Sequence, residues 1–312
     1  MNSLSEHKPL VTIITLTCNR PILLERAIRS VLSLNYESWE HVIVNNGGDV
    51  IPVSHILEMH STEYQSRSRL IDLDESIPFG AALNVAVRSS LSTYVMVLDD
   101  DVSLEPDILL ELTDALEFSC DSIKAVHCSS NIVEEYIDSN NISLTDIRDN
   151  PYQSGHANLY NIFCNHKSAP ISYLIKRDAF NEIGFFDEKI NSLPVWDYWI
   201  RLLSVSETLF VAEKLSNWHI RPSSKDEYGN LTYSLSQQEL IDYRVKYLHH
   251  LLLNTEPSFV TALATLALAN SCNSPETNES NTLNSHNQFS YRLLPKSLMM
   301  KLKNVLLRKI DI

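Results

Sequence analysis

The chain has 312 residues, 44% hydrophobic and 21% charged, which is enough to bury a full core in one large domain or roughly two. Its 25 Lys and Arg against 39 Asp and Glu leave a net charge of −14, so no basic face marks it as a general nucleic-acid binder. Five Cys without regular spacing make neither a disulfide framework nor a CxxC zinc site, which points to reduced thiols and a cytoplasmic setting. Residues 1–10 lack the charged-then-apolar layout of a signal peptide, and no apolar run approaches the ~18 residues of a membrane span.

Leu10 to Leu16 (LVTIITL) is a β-branched run bounded by polar residues and reads as a buried strand. In the stretch that follows, Asn19 is a candidate cap and Pro21 suits a first helical turn. Leu24, Ala27, Ile28, Val31 and Leu32 then recur at helical spacing. His41 to Val44 predicts a second strand, broken by the turn signal Asn45-Asn46-Gly47-Gly48-Asp49. Residues 80–90 suit a helix, and Tyr94 to Leu98 (YVMVL) a third buried strand. Alternating strands and helices predict an α/β fold with a mostly parallel central sheet flanked by helices. Residues 125–175 read as short strand-like pieces among polar loops, and 196–205 and 236–254 as helices.

In parallel sheets ligands bind beyond the carboxyl ends of the strands. Three polar clusters fall at such ends: Thr15 to Arg20, Asn45 to Asp49, and Asp99-Asp100-Asp101. Neither a GxGxxG nor a GxxxxGK[ST] loop is present, which disfavours Rossmann and P-loop readings. Three adjacent carboxylates repel one another, and a fold tolerates them best beside a cation. Hard oxygen ligands suit Mn²⁺ or Mg²⁺. The competing reading of the trio is a solvated acidic turn leading into a helix, whose start Glu105 and Asp107 would favour.

With these residues in view, the stretch VTIITLTCNRPILLERAIRSVLSLNYESWEHVIVNNGGD, followed by YVMVLDDDVSLEPD, resembles a bacterial family 2 glycosyltransferase of the GT-A fold and surface-glycan type. IKRDAFNEIGFFDEKINSLPVWDYWIRL is similar to that family's acceptor region, so the likeness spans roughly residues 10–222. The resemblance implies an enzyme that moves a sugar, with inversion, from a UDP- or dTDP-sugar donor to a glycan or lipid-linked acceptor in surface polysaccharide synthesis. It places Thr15, Asn19, Arg20 and Asn46 along the nucleotide, Asp99 and Asp100 at ribose or diphosphate, and Asp101 on the Mn²⁺ or Mg²⁺ ion. Asp197 falls where acidic residues supply the acceptor base, and His219 resembles a downstream histidine that touches metal or diphosphate. A partly buried strand histidine is the other reading of His219.

Three departures stand out. Asn46 occupies a position where the family usually has Asp, Leu83 one where it usually has Arg, and Pro194-Val195 replace a Glu-Asp pair. The last substitution supports an alternative, a non-catalytic sugar-nucleotide-binding scaffold of the same fold.

The expected organisation is a GT-A domain over 1–222, a helical extension over 223–270, a Ser/Asn-rich linker over 271–290 and a basic amphipathic helix over 291–312. That last segment holds Arg292, Lys296, Lys301, Lys303, Arg308 and Lys309 against one acid, Asp311. Its charge opposes the rest of the chain, which suggests a peripheral hold on an anionic surface at the inner face of the cytoplasmic membrane.

Overall fold

The computed structural model describes residues 10–138, 141–165, 168–190, 193–224 and 228–230. The chain divides into two compact units, residues 1–157 with 167–234, and residues 158–166 with 235–312. The expected linker over 271–290 and helix over 291–312 lie outside the described residues, as does most of the expected extension over 223–270.

The first unit opens with β1 (Val11–Thr17), α1 (Pro21–Leu32), β2 (Trp39–Asn46), α2 (Val50–Met59), α3 (Thr62–Arg67) and β3 (Ser68–Leu73). It continues with α4 (Phe79–Ser89), β4 (Tyr94–Val97), β5 (Val102–Leu104), α5 (Ile108–Glu117), β6 (Ile123–Asp138) and β7 (Asn141–Asp149). The second unit contributes α6 (Leu159–Cys164). The chain then returns to the first unit with β8 (Tyr173–Lys176), α7 (Asp178–Ile183), α8 (Pro194–Val205) and β9 (Glu207–Ile220).

All seven residues of β1 are buried, as its unbroken apolar run requires of a central parallel strand. It pairs in parallel with β2 on one side and β4 on the other, so Thr17 lies opposite Asn45 and Ile14 opposite Val97. On the sheet, α1 buries Leu24, Ala27, Ile28 and Val31, and α4 buries Ala82, Leu83, Ala86 and Val87. Pro21 does sit at the first helical position, but the capping residue is Arg20 and makes no side-chain cap bond.

The strand order is β3-β2-β1-β4-β8-β6-β9-β5, with β7 paired to β6. Only the half around β1 is uniformly parallel. Beyond β4 the sheet is mixed: β8 runs against β4 and β6, β5 against β9, and β6 alongside β9. The expected central sheet flanked by helices is therefore present, parallel around β1 and with antiparallel pairings added beyond β4. Beyond β4 the regular strand–helix–strand alternation ceases, and parallel neighbours need such crossovers. The region expected to hold short strand-like pieces instead begins with the 16-residue β6, buried over its first eight residues and continuing as a ribbon with β7. Among the described residues no helix is long and apolar enough to cross a membrane.

Candidate functional site

The parallel register brings the ends of β1, β2 and β4 to one edge, where three loops meet. Asn19 adopts a left-handed backbone (φ 55°) and its Oδ1 accepts the Asp49 N–H at 2.8 Å, stitching the first loop to the second. Gly47 has φ +76°, and a Cβ there would lie 2.3 Å from the Ser76 backbone nitrogen, so only glycine lets the second loop lie against residues 75–76. Asn46 fastens the same contact from both ends of its amide: Nδ2 donates to Ile77 O at 2.9 Å, and Oδ1 accepts from Ile77 N at 3.0 Å. Its neighbour Asn45 donates to Gly48 O and to Asp72 Oδ1, while its own Oδ1 is buried without a hydrogen-bond partner.

The carboxylate trio follows β4. Asp100 is buried, held by Arg20 at 3.1 Å and by the Thr17 hydroxyl at 3.0 Å. Burial lifts its carboxyl to about 6; Arg20 pulls against that rise and Asp101 adds to it. Asp99 is half-buried and also pushed up, by burial first and then by the charges of Asp101 and Asp100. Asp101 accepts from Asn230 Nδ2 at 2.6 Å, with Arg221 at 3.6 Å and Arg20 at 3.7 Å from the same oxygen.

Across the β5–β9 pairing, the His219 N–H donates to the Asp101 carbonyl at 2.9 Å. The His219 ring lies between two partners, Nδ1 at 3.0 Å from Glu135 and Nε2 at 2.8 Å from the Ser103 hydroxyl. Burial, the larger influence, lowers His219 despite the Glu135 carboxylate. Glu135 also accepts from Arg26 at 2.8 Å and from Arg221 at 2.6 Å. Burial alone would raise Glu135, but the His219 hydrogen bond and the Arg26 charge outweigh it and bring the carboxyl down to about 2.

Two observations bear on a divalent cation. Burial first, and then the charge of Asp101, raises the cost of ionising Asp99, which a cation beside them would relieve. The His219 ring sets Nδ1 against the Glu135 carboxylate and turns Nε2 toward the Ser103 hydroxyl. Among the described residues no three His, Cys, Asp or Glu side chains are already gathered as a metal cage. An ion such as Mn²⁺ or Mg²⁺, which takes one or two carboxylates and completes its shell with phosphate oxygens, does not require such a cage.

The structure brings Asn19, Arg20, Asn46, Asp99, Asp100, Asp101 and His219 to this edge, and places two expected residues, Thr15 and Asp197, in other surroundings. Thr15 is fully buried, with its hydroxyl 3.0 Å from His41 Nε2 inside the sheet. The threonine that faces the carboxylates is Thr17, two residues on and on the same side of the strand but at its open end. Asp197 sits in the first turn of α8, buried, with its Oδ2 held by Arg201 Nε at 2.9 Å and Nη2 at 2.8 Å. Arg201 also donates to the carbonyls of Ile183 and Phe185. Through Arg201, Asp197, the expected base, is joined to a brace between α8 and the 183–185 segment. Sequence reasoning missed Thr17, Asn45, Arg26, Glu135, Arg221 and Asn230. Thr17 and Asn45 were within reach, being in the polar clusters already marked. No local pattern singles out Glu135 or Arg26.

Comparison with known proteins shows the family and the fold. The model of the family described as glycosyl transferase family 2 matches residues 12–183, more than half of the chain. The chain belongs to glycosyl transferase family 2. An O-antigen biosynthesis glycosyltransferase of Escherichia coli, WbnJ, is 24% identical over 228 residues, covering 70% of this chain and 83% of that protein. An uncharacterized glycosyltransferase of Haemophilus influenzae is 25% identical over 130 residues, 42% of this chain and only 39% of its own length. Among solved structures, S. aureus TarS 1–349 in complex with UDP-GlcNAc superposes with a TM-score of 0.59 at 14% identity, covering 84% of this chain and 71% of that one. The mannosyltransferase PcManGT from Pyrobaculum calidifontis, in complex with GDP-Man and Mn²⁺, gives 0.55 at 15% identity, covering 86% and 77%. The expected family and GT-A fold are borne out.

Proposed function

We propose that this family 2 member transfers a sugar from a nucleotide-diphosphate donor, UDP- or dTDP-linked, to a hydroxyl of a glycan or lipid-linked acceptor in surface polysaccharide synthesis. The observation that carries the reading is the carboxylate trio at the open end of β4, ringed by Thr17, Arg20, Arg221 and His219. Sugar nucleotides bound by the TarS and PcManGT structures, and the O-antigen role in the name of WbnJ, support it. The buried Asn45 Oδ1, an acceptor without a partner, suits the N–H of a uracil or thymine ring better than Asn46, whose amide is engaged by Ile77.

A Mn²⁺ or Mg²⁺ ion would be held by Asp101 with Asp99 and His219, and would supply charge to the departing diphosphate. The manganese in the PcManGT structure supports this part of the reading. Arg20 holds Asp100 in place and has two buried nitrogens, Nε and Nη2, without hydrogen-bond partners, and these are donors suited to diphosphate oxygens. Arg221 Nη2 is a third.

The test is a panel of UDP- and dTDP-sugars assayed for Mn²⁺-dependent release of nucleoside diphosphate, with and without acceptor glycans. One observation favours a second reading, a sugar-nucleotide-binding scaffold: the carboxylate of α8 is engaged by Arg201. Tight donor binding with no release from any donor would decide for the scaffold. The basic 291–312 segment, outside the described residues, is proposed from its sequence to hold an anionic membrane surface. Liposome sedimentation of the full chain against a truncation at residue 290 tests that hold.

A further inference from the structure

We infer that Glu135 is a positioning residue: it fixes His219 with its proton on Nδ1 and so keeps the Nε2 lone pair available beside Asp101. This rests on the divalent-cation part of the proposed function. Glu135 lies on β6, outside every sequence cluster, at a bulge where the register with β7 shifts between Glu134 and Glu135. The extra residue of that shift is Thr145 on β7, so two β7 residues oppose one step of β6 there. The Glu135 side chain is 3% exposed and faces Arg26, Arg221 and His219.

Hydrogen-bond roles decide which ring nitrogen carries the proton. An ionised carboxylate only accepts, so the His219 nitrogen 3.0 Å from Glu135 must donate. In the neutral ring the other nitrogen then only accepts, and the partner at 2.8 Å is the Ser103 hydroxyl, which can donate by rotating its proton. A hydroxyl is a small cap that can turn away, so Nε2 remains a potential ligand. Metal-ligating histidines generally donate their other ring N–H to a carboxylate or carbonyl in this way, which fixes the tautomer and raises ligand basicity. The same carboxylate orients Arg221, whose Nη2 pairs with Asp101 at 3.6 Å and has no hydrogen-bond partner among the described residues. Glu135 thereby sets two of the groups that face Asp101 without touching substrate itself.

A purely structural brace would also hold Arg26 and Arg221, so the deciding readout is the tautomer. The full chain, labelled with ¹⁵N at histidine, would be compared with H219Q to identify the His219 signals. The wild type is expected to carry the proton on Nδ1. The double variant E135M/R26M removes the acceptor together with one of its cations, and its His219 is expected to become a mixture of tautomers. Mn²⁺ binding in the presence of UDP, read from the free-ion EPR signal, should weaken by about 10- to 100-fold in that variant. A wild-type His219 protonated on Nε2 overturns the inference even if the double variant fails to fold. So does a folded double variant with the wild-type tautomer and Mn²⁺ affinity. A wild type that releases nucleoside diphosphate from a donor but takes up no Mn²⁺ overturns it too, while leaving the transferase reading standing.

Discussion

Asp197 and Arg201 lie four residues apart on one face of α8, the spacing at which side chains meet, and Arg201 reaches on to two carbonyls of the 183–185 segment. Asp197→Asn should therefore cost stability, about 1–3 kcal/mol for weakening a buried charge-assisted bond, and leave UDP affinity unchanged. Thermal unfolding and calorimetric titration check the two halves. An unchanged melting temperature with a hundredfold fall in turnover would return Asp197 to the role of base. Thr15 and Thr17 give a paired contrast. Thr15→Val removes a hydroxyl bonded to buried His41 and should lower stability by about 1 kcal/mol without touching nucleotide binding. Thr17→Val removes a contact to Asp100 at the open strand end and should weaken UDP binding in the same titration. Sequence alone could not separate these two threonines. They share a face of β1, and only the strand's end point decides which meets the carboxylates.

At the scale of elements, β1, α1, β2, α4 and β4 were legible because each carries its own signal: a β-branched run, an apolar stripe at helical spacing, or a turn cluster that ends it. β6 was not, because its sequence mixes Ser, Asn, Lys and Glu with its apolar residues. Those polar groups are satisfied by distant partners, such as Lys124 with Asp178 and Glu182 or Glu135 with Arg26, that no local window contains. The same limit hid Glu135 and Asn230 from the candidate site, whereas the carboxylate trio was visible because three adjacent acids are unusual in themselves. The β2–α2 loop tests how far one turn positions that site. Gly47→Ala puts a Cβ 2.3 Å from the Ser76 nitrogen at a positive φ, so the loop must shift. Since Asn46 ties this loop to Ile77 and Asn19 ties it to the first loop, the shift should reach Arg20. The expected result is a loss of roughly 1–3 kcal/mol, the usual size of local backbone strain, together with weaker UDP binding. Unfolding and titration of the variant measure both, and intact binding would show that the three loops are positioned independently.

For the whole molecule, Asp99 and Asp100 make stability depend on pH. Asp100 is raised in the folded state to about 6 from an ordinary value of 3.8. A raised carboxyl means that the folded protein holds its proton more tightly than the unfolded chain does. The contribution is therefore fully present below about 4 and is lost as pH rises through about 6. Asp99 shifts in the same direction and adds to the loss. Glu135 works oppositely and at lower pH: held at about 2 against 4.5, it stabilises above 4.5, and that stability is lost as pH falls through about 2. The metal-free protein should thus be less stable at pH 8 than at pH 5, as far as these groups decide it. Asp100→Asn, which cannot ionise, should gain on the wild type between those two values, by roughly 2–4 °C in melting temperature for each kcal/mol involved. A divalent cation held there, as proposed, would bind the ionised carboxylates and should offset the loss where they are ionised. Added Mn²⁺ is expected to raise the wild-type melting temperature more at pH 8 than at pH 5, because at pH 5 protons compete for the same oxygens. Scanning calorimetry of wild type and Asp100→Asn, each with EDTA or Mn²⁺ at both pH values, measures the full set. An equal Mn²⁺ shift at pH 5 and pH 8 would mean that the ion binds away from the strand-end carboxylates.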